Sequence, residues 1–331
     1  MASLKDVAQK ANVSITTVSR VINNNKNVNP DTRRIVLKAV KELDFRPSKF
    51  AQRLRVKSGK RKLVGLIVPD IQNPFYVDVV RGVEDMVYAN DYAVIMCNFA
   101  QDEKKASLYI DIMRAEGVDG LIIAPTIHIV GKIKELIKNA LPIVLIDRGI
   151  PGIDVDMVEV DNRKGASNAV ELLISKGHKR IAYIGGIKEI PTSKLRYQGY
   201  LDAHKKYKIK VDKDLIEFGN SKSESGRIIS EKLLSKKNRP TALFCGNNLI
   251  TLGALETIHN LGLKIPSDVA IVGFDDMPWS ISLNPPLTAI FQPGYEIGRS
   301  AVRMLLDRID EPNKTCAKVT LKTQLIERKT T

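Results

Sequence analysis

Cysteine is scarce in this 331-residue chain: Cys97, Cys245 and Cys316 are far apart and odd in number, which argues against a disulfide framework and suits a reducing compartment. No apolar run approaches the ~20 residues needed to span a bilayer. Met1–Lys10 lacks the apolar stretch of a signal peptide and is already patterned as a helix. A cytoplasmic protein with no membrane partner is therefore expected. No C-x-x-C or H-E-x-x-H spacing occurs, and His128, His178, His204 and His259 are scattered, so neither a metal nor a cofactor is expected. The spacings G-x-x-x-x-G-K-[ST], G-x-G-x-x-G after a strand and G-x-S-x-G are also missing, and Gly185-Gly186 ends an apolar run instead of opening a phosphate loop. No catalytic residues are assigned, although an α/β sugar or nucleotide enzyme with a fused basic arm remains the rival reading.

Acidic residues are sparse at one end only. The chain has 52 Lys+Arg and 37 Asp+Glu, a formal charge of +15. Residues 1–62 hold 16 Lys/Arg against 4 Asp/Glu, whereas the remaining residues hold 36 against 33. A small basic module is thus joined to a nearly neutral body, the arrangement of a protein that binds a polyanion at one end.

Residues 4–45 read as three short helices. Ser3 can cap the first, with Leu4, Val7, Ala8 and Ala11 at helical spacing, and a break at Asn12-Val13 follows. Ser14 can cap the second, with Val18, Val21 and Ile22 inward. Asn29 and Pro30 open the third, whose inner stripe is Ile35, Val36, Ala39, Val40 and Leu43. Residues 46–62 change character, with Pro47 and eight Lys/Arg, and read as a linker holding a short helix at Lys49–Arg55, too short to be stable alone. From Leu63 onward, apolar runs at 63–68, 92–97, 118–124, 142–147, 180–185, 241–246 and 269–274 alternate with amphipathic helical stretches such as 76–89, 102–116, 163–176, 194–206, 224–235 and 295–309. Such alternation predicts parallel sheets with right-handed crossovers, in two doubly wound lobes; a (β/α)₈ barrel is the competing topology. The expected fold is α/β with a helix-turn-helix headpiece at 1–46, a hinge and linker at 47–62, and a two-lobed core at 63–331. The N-lobe is placed at about 63–161 plus 292–325 and the C-lobe at about 162–291.

Two helices joined by a tight turn, with Thr16, Thr17, Arg20 and Asn23 on the outer face of the second, suit a DNA major groove: Arg can grip guanine and Thr can touch a thymine methyl or a phosphate. The runs LKDVAQKANVSITTVSRVINN (4–24) and NPDTRRIVLKAVKELDFRPSKFAQRLR (29–55) resemble the headpiece of the lactose-repressor (LacI/GalR) family of transcription regulators. VGLIVPDIQNPFY (64–76), VLIDR (144–148), VGFDD (272–276), NPPLTAIFQP (284–293) and an IG-x-x-A helix (297–301) extend the likeness over the whole chain. The resemblance implies a dimeric regulator, a repressor by expectation, with a periplasmic-binding-protein-like core and a near-palindromic operator in double-stranded DNA. It implies base-edge contacts by Ile15, Thr16 and Arg20, with Ser14, Thr17, Ser19, Asn23 and Arg33 positioning the headpiece. It implies a hinge helix at 47–55 whose Ala51, Leu54 and Arg55 meet DNA, with Leu54 an apolar wedge for the minor groove. Ser48 and Gln52 depart from the usual hinge Asn and Arg; Arg53 and Arg55 can supply the displaced charge.

In the core, the resemblance places a sugar-type effector (a sugar, sugar acid or sugar phosphate) in the cleft between lobes. The residues after the strands would hold it: Phe75, Tyr76, Asp147, Arg148, Arg196, Asn247, Asp275 and Gln292, a mix of carboxylates, amides, guanidinia and an aromatic face that suits hydroxyls. Asn248 stands where the family commonly has Asp, and Ser221 where many members have an aromatic. Trp279, the sole tryptophan, is expected to supply the stacking platform, with packing on the lobe surface as the alternative. Lys194 leaves room for an acidic ligand. The apolar stripe Tyr76, Val79, Val80, Val83, Met86 and Val87 is either a contributor to the dimer face or buried in its own lobe. A regulator whose partner is a phosphocarrier protein is a further alternative.

Overall fold

The computed structural model describes residues 2–22, 25, 27–45, 61–126 and 129–331. Asn23 and the 46–60 segment, with the expected hinge helix and its Ala51, Leu54 and Arg55, lie outside the described residues. The chain forms two units, Met1–Lys62 and Leu63–Thr331.

The first unit contains α1 (Leu4–Lys10), α2 (Ile15–Ile22) and α3 (Pro30–Glu42). Ser3 and Asp6 form a reciprocal capping box on α1, and Asn29 caps α3 by accepting from the Asp31 N–H. The chain turns from α1 to α2 through Asn12, which sits at φ 50°, a left-handed conformation that asparagine tolerates better than most residues. Val7, Ala8, Ala11, Val18, Val21, Val36 and Ala39 make the small core. Ile35, expected inside, is 48% exposed. Val36, Ala39, Val40 and Leu43 already fill one i, i+3, i+4, i+7 stripe, and Ile35 lies one residue outside it.

The second unit has two six-stranded sheets. In chain order the first lobe contains β1 (Leu63–Val68), α4 (Pro74–Ala89), β2 (Ala93–Asn98), α5 (Glu103–Ala115), β3 (Gly120–Ile123), α6 (Val130–Lys138), β4 (Ile143–Ile146) and β5 (Asp156–Val160). The second contains α7 (Asn162–Ser175), β6 (Ile181–Gly185), α8 (Pro191–Lys206), β7 (Ile216–Phe218), α9 (Ser223–Leu234), β8 (Ala242–Cys245), α10 (Asn248–Asn260), β9 (Ala270–Phe274) and β10 (Thr288–Phe291). The chain then returns to the first lobe with α11 (Gly294–Asp310) and β11 (Lys318–Leu321) and crosses once more into β12 (Gln324–Ile326). The sheet orders are β2-β1-β3-β4-β5-β11 and β7-β6-β8-β9-β10-β12, all parallel except β12 against β10. Apolar clusters cover both faces of each sheet, which is why strands such as LVGLIV are apolar throughout.

Two open sheets replace the barrel alternative. The C-terminal strand corrects one expected boundary: β12 pairs with β10, and the Thr330 hydroxyl donates to the Ile271 carbonyl at 2.7 Å, so the chain leaves the first lobe before the expected residue 325. The α4 stripe is in-lobe core. Tyr76, Val79, Val83 and Val87 are buried, and Val80 and Met86 pack against the same cluster. Gly82 and Gly298 let α4 and α11 cross backbone to backbone, since a Cβ on either would strike a carbonyl of the other helix.

Candidate DNA-reading helix and ligand cleft

Ser14 caps α2: its Oγ accepts from the Thr17 N–H at 3.1 Å and pairs with Thr17 Oγ1 at 2.8 Å. These two hydroxyls fix the start of the helix. Ile15, Thr16 and Arg20 are exposed, and Ile15 at 45% is a large aliphatic side chain left on the outer surface. Ser19 is half-buried, and Arg33 reaches from α3 to the Asn25 carbonyl at 2.5 Å, pinning the loop that follows α2.

In the core, the carboxyl ends of both sheets face a shared, narrow cleft of about 70 Å³ that opens to solvent at its mouth. Its walls include every expected effector residue except Trp279. Asp147 follows β4 at φ 66° and Asp275 follows β9 at φ 76°. The two strands hold equivalent places in their sheets, so the lobes present matching carboxylates on left-handed residues, an uncommon conformation for a residue with a Cβ.

On the first lobe, Tyr76 Oη donates to Asp147 Oδ2 at 2.9 Å and accepts from Arg148 Nη2 at 2.8 Å, while Arg148 Nε donates to Asp147 Oδ2 at 3.0 Å. All three side chains are buried. Burial pushes the Tyr76 hydroxyl well above its ordinary pKa, keeping its proton available to Asp147. Burial pulls Arg148 down, but Tyr76 and Asp147 outweigh it, and the net shift is upward. Phe75 sits edge-on to Tyr76, ring centroids 5.0 Å apart.

On the second lobe, Arg196 projects from α8, donating Nε to Asn162 Oδ1 at 2.8 Å and Nη1 to the Gly246 carbonyl at 2.7 Å, with Cζ 3.7 Å from the centroid of the Phe274 ring. Asp275 accepts from Gln292 Nε2 and, at 3.4 Å, from the Asn248 N–H. Burial above all raises the Asp275 pKa; Arg196 and the two hydrogen bonds oppose the rise, and Asp147 adds to it. Ser193 Oγ and Gln292 Oε1, both on cleft-lining residues, are buried without a protein partner. Asn247 is already committed: its Oδ1 caps α10 and its Nδ2 donates to the Ser221 carbonyl at 2.9 Å.

Trp279 is a correction. It lies in the short 3₁₀ turn Pro278–Ser282, held by the Ser280 hydroxyl against the Met277 N–H, and packs half-buried on the second-lobe core outside the cleft. Lys194 is exposed and off the cleft wall. Sequence reasoning missed Ser193, whose signal was its place in the first turn of α8 behind Pro191. It also missed Asn73, the α4 cap, whose Oδ1 accepts from Asn248 Nδ2 at 2.8 Å across the lobes. Asp at position 248 cannot make that bond and would set a carboxylate against Asn73 Oδ1 and Asp275. Asn248→Asp is therefore expected to favour the open cleft and weaken effector binding about tenfold, measured by titration, with Asn248→Ala milder. Equal affinity in wild type and Asn248→Asp would show that the contact holds nothing.

Residues 3–48 match the profile described as bacterial regulatory proteins, lacI family, and residues 170–331 match a periplasmic binding protein-like domain. The HTH-type transcriptional repressor PurR of Pectobacterium carotovorum subsp. carotovorum (strain PC1) is 34% identical over 99% of this chain and 96% of its own. The lac repressor dimer bound to operator and the anti-inducer ONPF superposes with a TM-score of 0.84 at 26% identity, covering 99% of this chain and 98% of that one. The transcriptional regulator CelR in complex with cellobiose superposes at 0.76, with 29% identity and full coverage of both chains. The chain belongs to the lacI family of bacterial regulatory proteins and is a DNA-binding transcriptional regulator with an effector-binding core.

Proposed function

We propose that this regulator binds a near-palindromic operator as a dimer, with Ile15, Thr16 and Arg20 reading base edges, and that its cleft takes a neutral, polyhydroxylated molecule of the sugar class. Ser14, Thr17, Ser19 and Arg33 position the reading helix. Leu54 enters the minor groove, with Ala51 and Arg55 as further contacts of the hinge. The observation that carries the ligand reading is the charge balance of the cleft. Among the described cleft residues Arg148 is paired with Asp147, and the Arg196 charge acts on Asp275 while its Nε and Nη1 are held by Asn162 and Gly246, so a carboxylate or phosphate would meet two buried acids with no surplus of buried cations to balance it. Ser193 Oγ and Gln292 Oε1 ask instead for hydroxyls, and Gln292 Oε1 can only accept. The cellobiose complex of CelR, a similar protein, supports the same class.

Control of DNA requires that the ligand bind two lobe arrangements differently; moving a 1:99 mixture to 99:1 takes about 10⁴-fold, or ~5.5 kcal/mol. The three interlobe crossings, after β5, after β10 and after β11, are the segments where such rotation can occur. A thermal-shift screen of the full chain with neutral sugars, sugar acids, sugar phosphates and nucleobases tests the reading. Neutral sugars should raise the Tm and be recovered unchanged. A response to charged ligands alone rejects the neutral assignment, and recovery of a chemically altered ligand rejects the regulator reading in favour of an enzyme.

A further inference from the structure

The core is nearly neutral as a whole but not lobe by lobe. Residues 63–161 and 292–321 hold 13 Lys/Arg against 20 Asp/Glu, whereas 162–291 and 322–331 hold 23 against 13. The excess concentrates at one edge. The helix-to-strand loops of the second lobe, 176–180, 207–215, 235–241 and 261–269, carry ten Lys/Arg and three Asp. The corresponding loops of the first lobe, 90–92, 116–119, 139–142 and 311–317, carry one Lys and four Asp/Glu. A cation after a helix C-terminus is favoured by the helix dipole, but both lobes have those termini and only one has a net excess of cations in the loops that follow, so the dipole does not account for the excess.

Three of the basic loops are tied together. Arg180 pairs with Asp212 at 3.0 Å and donates to the Asn238 carbonyl at 2.7 Å, Lys236 donates to the Asp214 carbonyl at 2.5 Å, and His178 bonds Thr241 at 3.0 Å. Around this frame Lys179, Lys208, Lys210, Lys213 and Lys237 are exposed and Arg239 is half-buried. None of these six side chains forms a hydrogen bond or ion pair with another described residue. Like charges gathered without partners repel one another, and a polyanion relieves that repulsion. These loops lie at the amino ends of the strands, the edge of the lobe opposite the ligand cleft.

We propose that this edge is a second, sequence-independent surface for the phosphate backbone of duplex DNA, by which a regulator held on one duplex captures another. The proposal rests on the reading of the headpiece as a DNA binder. Among the described residues of these loops, the exposed large apolar side chains are Tyr207 and Leu261. Of these, Leu261 belongs to the 261–269 loop, outside the tied set, so the basic frame itself has a single tyrosine. That is too little for insertion into a membrane surface or for the apolar centre of a protein interface, and a cationic array without such a centre suits phosphates. A chain already seated on DNA also meets neighbouring duplex at raised effective concentration, so a weak surface suffices.

The test loads the full-length chain on a bead-bound random-sequence duplex at about 50 mM salt and measures capture of a labelled second duplex. The wild type should capture it. The variant K179Q/K208Q/K210Q/K213Q/K237Q/R239Q, brought to the same density on the beads, should capture about tenfold less or worse. Capture unchanged by the six substitutions overturns the proposal, as does a loaded wild type that captures nothing or that takes anionic phosphatidylglycerol vesicles in place of duplex. A wild type that fails to load defeats the headpiece reading instead. Direct titration of the second duplex against both proteins then still decides the surface, since weaker binding by the variant supports it and equal binding overturns it.

Discussion

Raising salt from about 50 to about 200 mM is expected to weaken operator binding by about 10³–10⁵-fold, as fluorescence anisotropy or gel shift would read it. The expectation follows from the 16 Lys/Arg against 4 Asp/Glu in residues 1–62. If a dimer neutralises ~6–10 phosphates, each contact releases a counterion and adds to the slope. Most of that term carries no sequence information. Arg20, exposed on the outer face of α2, is different: Arg20→Ala should remove about 1–3 kcal/mol of base discrimination at one position, while lowering the salt slope by only about 1. A flat response to salt would count against the headpiece as the DNA-binding element. Uniform loss across all sequences in Arg20→Ala would show that this side chain touches phosphate alone.

Strands buried on both faces were the easiest elements to read, because LVGLIV or AIVGF must be apolar throughout when helices cover the sheet on both sides. The same logic explains what escaped. β5 reads DMVEV, with Asp156 retained because Arg308 pairs with it at 2.9 Å, a partner 152 residues away. The short strands β7, β11 and β12 are only partly buried and give no apolar run. In α10, Asn248–Asn260, apolar residues fall on several faces, so its helical period is weak. The cleft was legible where side chains stand at strand ends, as Asp147 and Asp275 do. It was illegible where the cleft is built from a contact between lobes, such as Asn73 with Asn248, or from a missing contact, such as the bare Oγ of Ser193. Trp279 shows the converse: its rarity drew a ligand role, yet the turn at Met277–Ser280 folds it onto the lobe core. The charge contrast between lobes was present in the sequence throughout, but it gains meaning only once the chain crossings say which lysines share a lobe.

Asp275→Asn is expected to cost roughly 100-fold in effector affinity while leaving the unliganded protein as stable as wild type or more so. The two effects have one origin. Asp275 is buried, and burial raises its carboxyl pKa in spite of Arg196 and the hydrogen bonds from Gln292 and Asn248, so without ligand the charged form is the costly one. An amide removes that cost, and its N–H can donate to Gln292 Oε1, which has no partner in the wild type. A ligand hydroxyl loses its charged acceptor at the same time. The pH dependence fixes the sign. Above the folded-state pKa, Asp275 is ionised in both folded and unfolded chains, and the folded one bears the penalty. As pH falls through the folded pKa toward 3.8, the folded chain takes up its proton first and the penalty is relieved. The Tm advantage of Asp275→Asn should therefore be widest at about pH 7–8 and close toward about pH 4, in thermal unfolding of the two proteins side by side. A variant less stable than wild type over the whole range would mean that the carboxylate is a structural partner of Arg196. A variant that kept its effector response would move the ligand away from this carboxylate altogether. Only lost affinity, with a stability gain that fades in acid, is consistent with a charge held buried for the ligand's sake.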